Sequence, residues 1–122
     1  MTTATLLEAD ALESGAEAGG KPSALPADTL AAALTVRATF GAEARGEVLV
    51  AVYARPPGGE WDTQAAQVFH LTAPGAAGTA QRTVALAVLA AQEVRATARW
   101  AGSCRAEALR VTMVTSSGGA GS

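Results

Sequence analysis

The sequence predicts an all-β chain, an antiparallel β-sandwich or jelly roll of about seven to eight strands with an extended N-terminal arm. Three observations predict it. Apolar and polar residues alternate in Leu34-Thr-Val-Arg-Ala-Thr-Phe40, Val94-Arg-Ala-Thr-Ala-Arg-Trp100 and Leu109-Arg-Val-Thr-Met113, the pattern of strands with one buried face. Gly- and Pro-rich turns separate these segments at spacings too short for helical crossovers. The Ala-rich stretches Leu30 to Phe40 and Thr83 to Thr97 invite a helical reading, but β-branched residues and period-two patterning recur in them together.

Taken in order, Ala4 to Ala9 reads as a short first strand, with Leu6 and Leu7 on opposite faces. Ala11 to Pro26 is rich in Ala, Gly, Glu and Ser and is broken by Gly15, Gly19-Gly20, Pro22 and Pro26, which leaves no room for a stable helix. It reads as an extended arm or long loop that pairs with a neighbouring subunit. From Leu30 a strand places Leu30, Ala32, Leu34, Val36, Ala38 and Phe40 on one face, and Gly41 to Gly46 turns the chain. The next strand, Glu47 to Arg55, is apolar on both faces, Val48, Val50, Val52 and Ala54 opposite Leu49, Ala51 and Tyr53. Such a strand is covered on both sides or lies at an interface.

Pro56-Pro57-Gly58-Gly59 stops that strand, and Trp61 follows, expected to turn inward between wet Glu60 and Asp62. Ala66 to Thr72 is a strand with Phe69 and Leu71 inward and His70 outward, and Val84, Leu86 and Val88 mark another. Val94 to Trp100 then leads through Ala101 to Arg105, read as a hairpin tip, into Ala106 to Thr115. The boundaries are therefore 1–29 for the arm, 30–115 for the sandwich and 116–122 for a Ser/Gly tail that is flexible by composition.

Composition narrows the function. A single domain fits 122 residues, and the few aromatic residues leave a core of Val, Leu and Ala with Trp61 and Trp100 as packing anchors. A core that light is expected to gain stability by oligomerising or docking. A net charge of −2 argues against a nucleic-acid binder. Residues 1–33 are acidic, through Glu8, Asp10, Glu13, Glu17 and Asp28 against Lys21, and the rest is mildly basic. The many Arg and Ala residues point either to a GC-rich genome or to heat adaptation. With no basic, apolar leader and no apolar run of membrane-spanning length, the chain is expected to be soluble, cytoplasmically made and without a membrane partner.

No chemistry is legible. His70 and Cys104 stand alone in their kinds, and a Cys–His pair would need two distant turns to meet. Glu60 and Asp62 are too few for calcium, and Gly58-Gly59 precedes no helix and no Lys-Ser/Thr pair, so no catalytic residue, metal or cofactor is expected. The polar faces carry Arg37, Arg95, Arg99 and Arg110, which form a basic stripe for an acidic partner if their strands are neighbours; the simpler reading is a solvated face of Arg–Glu pairs.

The order of features is more telling. A small-residue, acidic arm is followed by Leu34-Thr-Val-Arg-Ala-Thr-Phe40, by Val48-Leu-Val-Ala-Val-Tyr-Ala-Arg-Pro-Pro-Gly-Gly-Glu-Trp-Asp62, by Val94-Arg-Ala-Thr-Ala-Arg-Trp-Ala-Gly102 and by Ala108-Leu-Arg-Val-Thr-Met-Val114. This pattern resembles the small β-sandwich virion proteins of tailed bacteriophages and prophages, which decorate heads or serve as accessory structural modules. Members often carry Ser-x-Asp-Gly-x-x-Trp where this chain has Arg55-Pro-Pro-Gly-Gly-Glu-Trp61. The resemblance implies a non-enzymatic capsid decoration or cement protein in the virion, a homo-oligomer whose partners are the major capsid protein or other virion subunits. Candidate interface residues are Leu6 and Leu7 in the arm, Leu49 and Tyr53 on the doubly apolar strand, and Arg37, Arg95, Arg99 and Arg110. The alternative is a carbohydrate- or surface-binding module of a tail fibre or secreted protein, with Trp61 and Tyr53 as its platform.

Overall fold

A computed structural model describes residues 2–26, 29–86 and 92–117. The nine strands are β1 (Thr2–Ala9), β2 (Glu17–Gly19), β3 (Ser23–Ala24), β4 (Thr29–Phe40), β5 (Arg45–Arg55), β6 (Gln67–Thr72), β7 (Gly78–Ala85), β8 (Glu93–Ser103) and β9 (Ala106–Ser117). They form an antiparallel β-sandwich, and no helix occurs among the described residues. One sheet has the order β1-β9-β4-β7; the other has the order β2-β8-β5-β6, with β3 also on β8. Each sheet buries its inward parity, so the alternation read from sequence reappears as burial: Leu34, Val36, Ala38 and Phe40 of β4 face Val48, Val50, Val52, Val94, Ala96 and Trp100 across the core. The tryptophan is the largest side chain there, fully buried and tilted 40° to Phe40 with the ring centroids 5.4 Å apart.

The N-terminal quarter does not stand off as an arm. β1 pairs antiparallel with β9 along its length, and Leu12 bridges to Ala106. β2 and β3 lie end to end against β8 as one edge strand interrupted between Gly20 and Pro22. Leu6, Leu7, Leu12 and Leu25 all enter the core. Consecutive Leu6 and Leu7 both turn inward because a bulge shifts the β1–β9 register between Thr5 and Leu7, which defeats the period-two expectation. Both residues are therefore core members and not the interface residues expected. A second irregularity, between Thr29 and Ala31, leaves Leu30 at 68% exposure although it shares parity with Ala32.

The sheet-to-sheet connections set the architecture. β4 to β5, β6 to β7, β7 to β8 and β8 to β9 all cross between sheets, while β5 and β6 form a hairpin within one. The expected hairpin tip at Ala101 to Arg105 is thus a corner: β8 pairs with β5 and β9 with β4. Cys104 turns it with φ of 61°, and the Trp100 Nε1–H donates to the Cys104 carbonyl at 2.8 Å, tying the corner to the core. Beside it Gly46 and Gly102 are cross-strand partners. Gly46 has φ of 124°, and a Cβ on Gly102 would sit 2.2 Å from the Arg45 carbonyl oxygen, so neither position admits a side chain. The expected strand residue Val88 and the tail from 118 onward lie outside the described residues.

Candidate functional site

The residues with chemical potential are not brought together. His70 is exposed on β6 with its Nδ1 3.4 Å from Glu47 Oε2. His70 pairs with Leu49 and Ser103 with Arg45, so the histidine and the β8 terminus are four residues apart along β5, about 13 Å, and Cys104 lies beyond that end. Among the described residues no three His, Cys, Asp or Glu side chains are grouped to hold a metal.

The two outward faces of the sandwich differ in kind. On the four-stranded sheet a threonine ladder satisfies itself: Thr35 and Thr83 hydroxyls lie 2.9 Å apart, and those of Thr39 and Thr79 3.3 Å apart. Arg37 and Arg110 are cross-strand partners on this face, and Arg110 Nε lies 3.3 Å from Glu8 Oε2. It is a polar surface, on which Arg37 has no ion-pair partner among the described residues. Arg95 and Arg99 belong to β8 in the other sheet, so the four arginines form two pairs on opposite faces and no single stripe.

The outer face of the five-stranded sheet carries a trench of about 490 Å³ running across the strands. Its floor follows from register: Gly19 pairs with Thr97, Thr97 with Ala51 and Ala51 with Val68, a row that spans β2, β8, β5 and β6 and ends on the larger Val68. Four strands at about 4.8 Å spacing make that row about 14 Å long. Large side chains two residues away on each side form the walls. One wall holds Glu17, Arg99 and Leu49, which are register partners; the other holds Tyr53 and Arg95, also partners. The second apolar face of β5 is thus the trench, not a second core. Val68, at 51% exposure, is one of two large aliphatic side chains left in water among the described residues, the other being Leu30.

Trp61 lies outside both core and trench. It is half-buried beyond the Tyr53–Arg95 wall, with the Arg95 guanidinium carbon 4.9 Å from its ring centroid. It therefore anchors an arginine on the sheet's outer face instead of the interior, and one face of its ring is already occupied. Trp100 takes the core position. Of the trench residues, the expected set held Leu49, Tyr53, Arg95 and Arg99, with Ala51 only as part of the doubly apolar strand; Val68 and Thr97 were outside it. Val68 was signalled by its parity with outward His70, whereas the floor row depends on the register of four strands far apart in sequence.

No known protein family matches this sequence, and no curated protein is similar to it. Solved structures share its fold. The PBSX exported protein XepA superposes with a TM-score of 0.58 at 11% identity, over 97% of this chain and 38% of that one. A structure of the Gx strain of infectious bursal disease virus gives 0.50 at 12% identity, over 98% and 32%. A family 35 carbohydrate binding module from Clostridium thermocellum gives 0.47 at 14% identity, over 91% and 98%. The chain spans about a third of the length of the first two, and at these identities the likeness concerns the fold alone.

Proposed function

We propose that this chain is a non-enzymatic structural module of a virion, a decoration or cement-type protein that docks on the phage head lattice through the outer face of its five-stranded sheet. The observation that carries this reading is the contrast between the faces. Threonines, Arg37 and an Arg110–Glu8 pair cover one sheet, while Leu49, Ala51, Tyr53 and Val68 are left in an open trench on the other. Solvent-facing strand positions are ordinarily polar, and an apolar strip rimmed by charge is the usual signature of a contact surface. A light, Ala-rich interior gains from such docking, because burying the trench adds apolar area that the folded chain alone cannot bury. The fold likeness to a PBSX exported protein and to a virus structure supports a particle-associated setting. Its partners are the major capsid protein or other virion subunits, together with further copies of itself.

Quantitative mass spectrometry of purified particles tests this: the chain is expected in stoichiometric proportion to the shell subunit. Trace or zero recovery overturns the proposal. A carbohydrate- or surface-binding module is the second reading, favoured by Tyr53 in the wall of an open trench. Glycan-array binding abolished by Tyr53→Ala would establish it in place of the first.

A further inference from the structure

The trench is chemically graded along its length, and the gradient says what fits it. Over β5 and β6 the floor is aliphatic, Ala51 and Val68, beneath Leu49. Over β8 the floor is Thr97, with Arg95 on one wall and Arg99 on the other. Among the described residues neither arginine has a carboxylate within ion-pair distance, as is also true of Arg37, Arg45 and Arg82, whereas Arg55, Arg105 and Arg110 pair with Glu93, Glu107 and Glu8. Arg95 is held at its wall by the Trp61 ring. Over β2 the sign reverses: Glu17 is exposed on the trench rim beside Arg99 without forming an ion pair.

We propose that the trench takes an extended acidic segment of a partner protein, with a carboxylate held between Arg95 and Arg99 above Thr97 and an aliphatic side chain seated on Ala51 and Val68. This rests on the outer sheet face being the docking surface and names the chemistry it recognises. Uniform polyanions are disfavoured, because a nucleic acid or polyuronate lying along the trench would set a negative group against Glu17. Neutral glycans find no free aromatic platform on the floor. A polypeptide changes character residue by residue and meets the gradient. Spacing agrees: the centre of the Ala51–Val68 pair lies one and a half strand spacings from β8, about 7 Å, and residues i and i+2 of an extended peptide are also about 7 Å apart. The recognised pattern is an aliphatic residue two positions from Asp or Glu. Two cations flanking the site also steer acidic partners toward it.

A phage-displayed random octapeptide library panned on the full chain tests the assignment. Enriched peptides are expected to carry Asp or Glu two positions from Val, Ile or Leu. A synthetic peptide of that consensus should lose at least tenfold in affinity for Arg99→Glu, remain bound to Arg37→Glu on the opposite face, and weaken as salt is raised. Both substituted residues are exposed, and circular dichroism verifies that each variant folds. Enrichment without acidic residues, no enrichment, indifference to Arg99→Glu, or tighter binding of polygalacturonate would each overturn it. Loss of particle attachment by Val68→Asp with no acidic peptide recovered would leave the docking face standing and remove only this assignment.

Discussion

Arg95 lies across Trp61, guanidinium carbon to ring centroid 4.9 Å, and this pairing fixes one wall of the trench to the loop that follows β5. The tryptophan follows, one residue on, a Pro-Pro-Gly-Gly turn whose Gly59 N–H donates back to the Pro56 carbonyl at 3.1 Å. The Asp62 N–H donates to Ala54 at 3.0 Å, closing the loop on the sheet. A hydrogen-bonded loop thus holds the ring, and the ring holds the arginine.

Trp61→Ala is expected to cost about 1 kcal/mol of stability, the size of a partly solvated cation–π contact. Trp100→Ala should cost about 3–5 kcal/mol, because it empties the centre of the core and frees the Cys104 corner. Chemical denaturation of the two variants measures the difference. Equal losses would contradict the placement of Trp61 outside the core.

Removing residues 2–26 is expected to abolish folding. The deletion takes β1, β2 and β3 and withdraws Leu6, Leu7, Leu12 and Leu25 from the core. Each buried leucine contributes about 2–5 kcal/mol on truncation to Ala, and a domain's whole stability is about 5–15 kcal/mol. A truncated chain with native circular dichroism and cooperative unfolding would show instead that the segment is dispensable.

At the β8–β9 corner, Cys104→Gly should be neutral or stabilising by up to about 1 kcal/mol, since glycine adopts the left-handed conformation without the Cβ penalty. Gly102→Ala should destabilise by several-fold more, its Cβ meeting the Arg45 carbonyl and the Trp100 ring. Thermal melts of both variants check this pair of opposite signs.

The alternation in Leu34–Phe40, Val94–Trp100 and Leu109–Met113 made the sandwich legible, because one-sided burial imposes period two on any strand. Leu6 and Leu7 were misplaced because a bulge erases that period locally, and bulges leave no signal in residue type. Residues 11–26 resembled a loose arm because their Gly and Pro content speaks against regular structure; β2 and β3 are short edge pieces held by β8, not by their own propensity. The Ala101–Arg105 corner looked like a hairpin since its turn residues are the same, and only the pairing of β9 with β4 distinguishes them. Of the trench, the doubly apolar β5 was readable. The pairing of its Ala51 with Thr97 and Val68 was not, as register between distant segments is a tertiary property.

Val68 is half exposed at the open end of the trench, so Val68→Asp should destabilise by no more than about 1 kcal/mol, the span of strand propensity. Any effect on binding is then an effect on the docking face itself. Purified wild-type and Val68→Asp chains, added to phage particles that lack this protein and separated by sedimentation, provide the direct comparison. The wild type is expected to co-sediment to saturation and Val68→Asp to remain in the supernatant, with Arg37→Glu on the opposite face behaving as wild type. Equal co-sedimentation of Val68→Asp, or loss with Arg37→Glu alone, would contradict the assignment of docking to the five-stranded sheet.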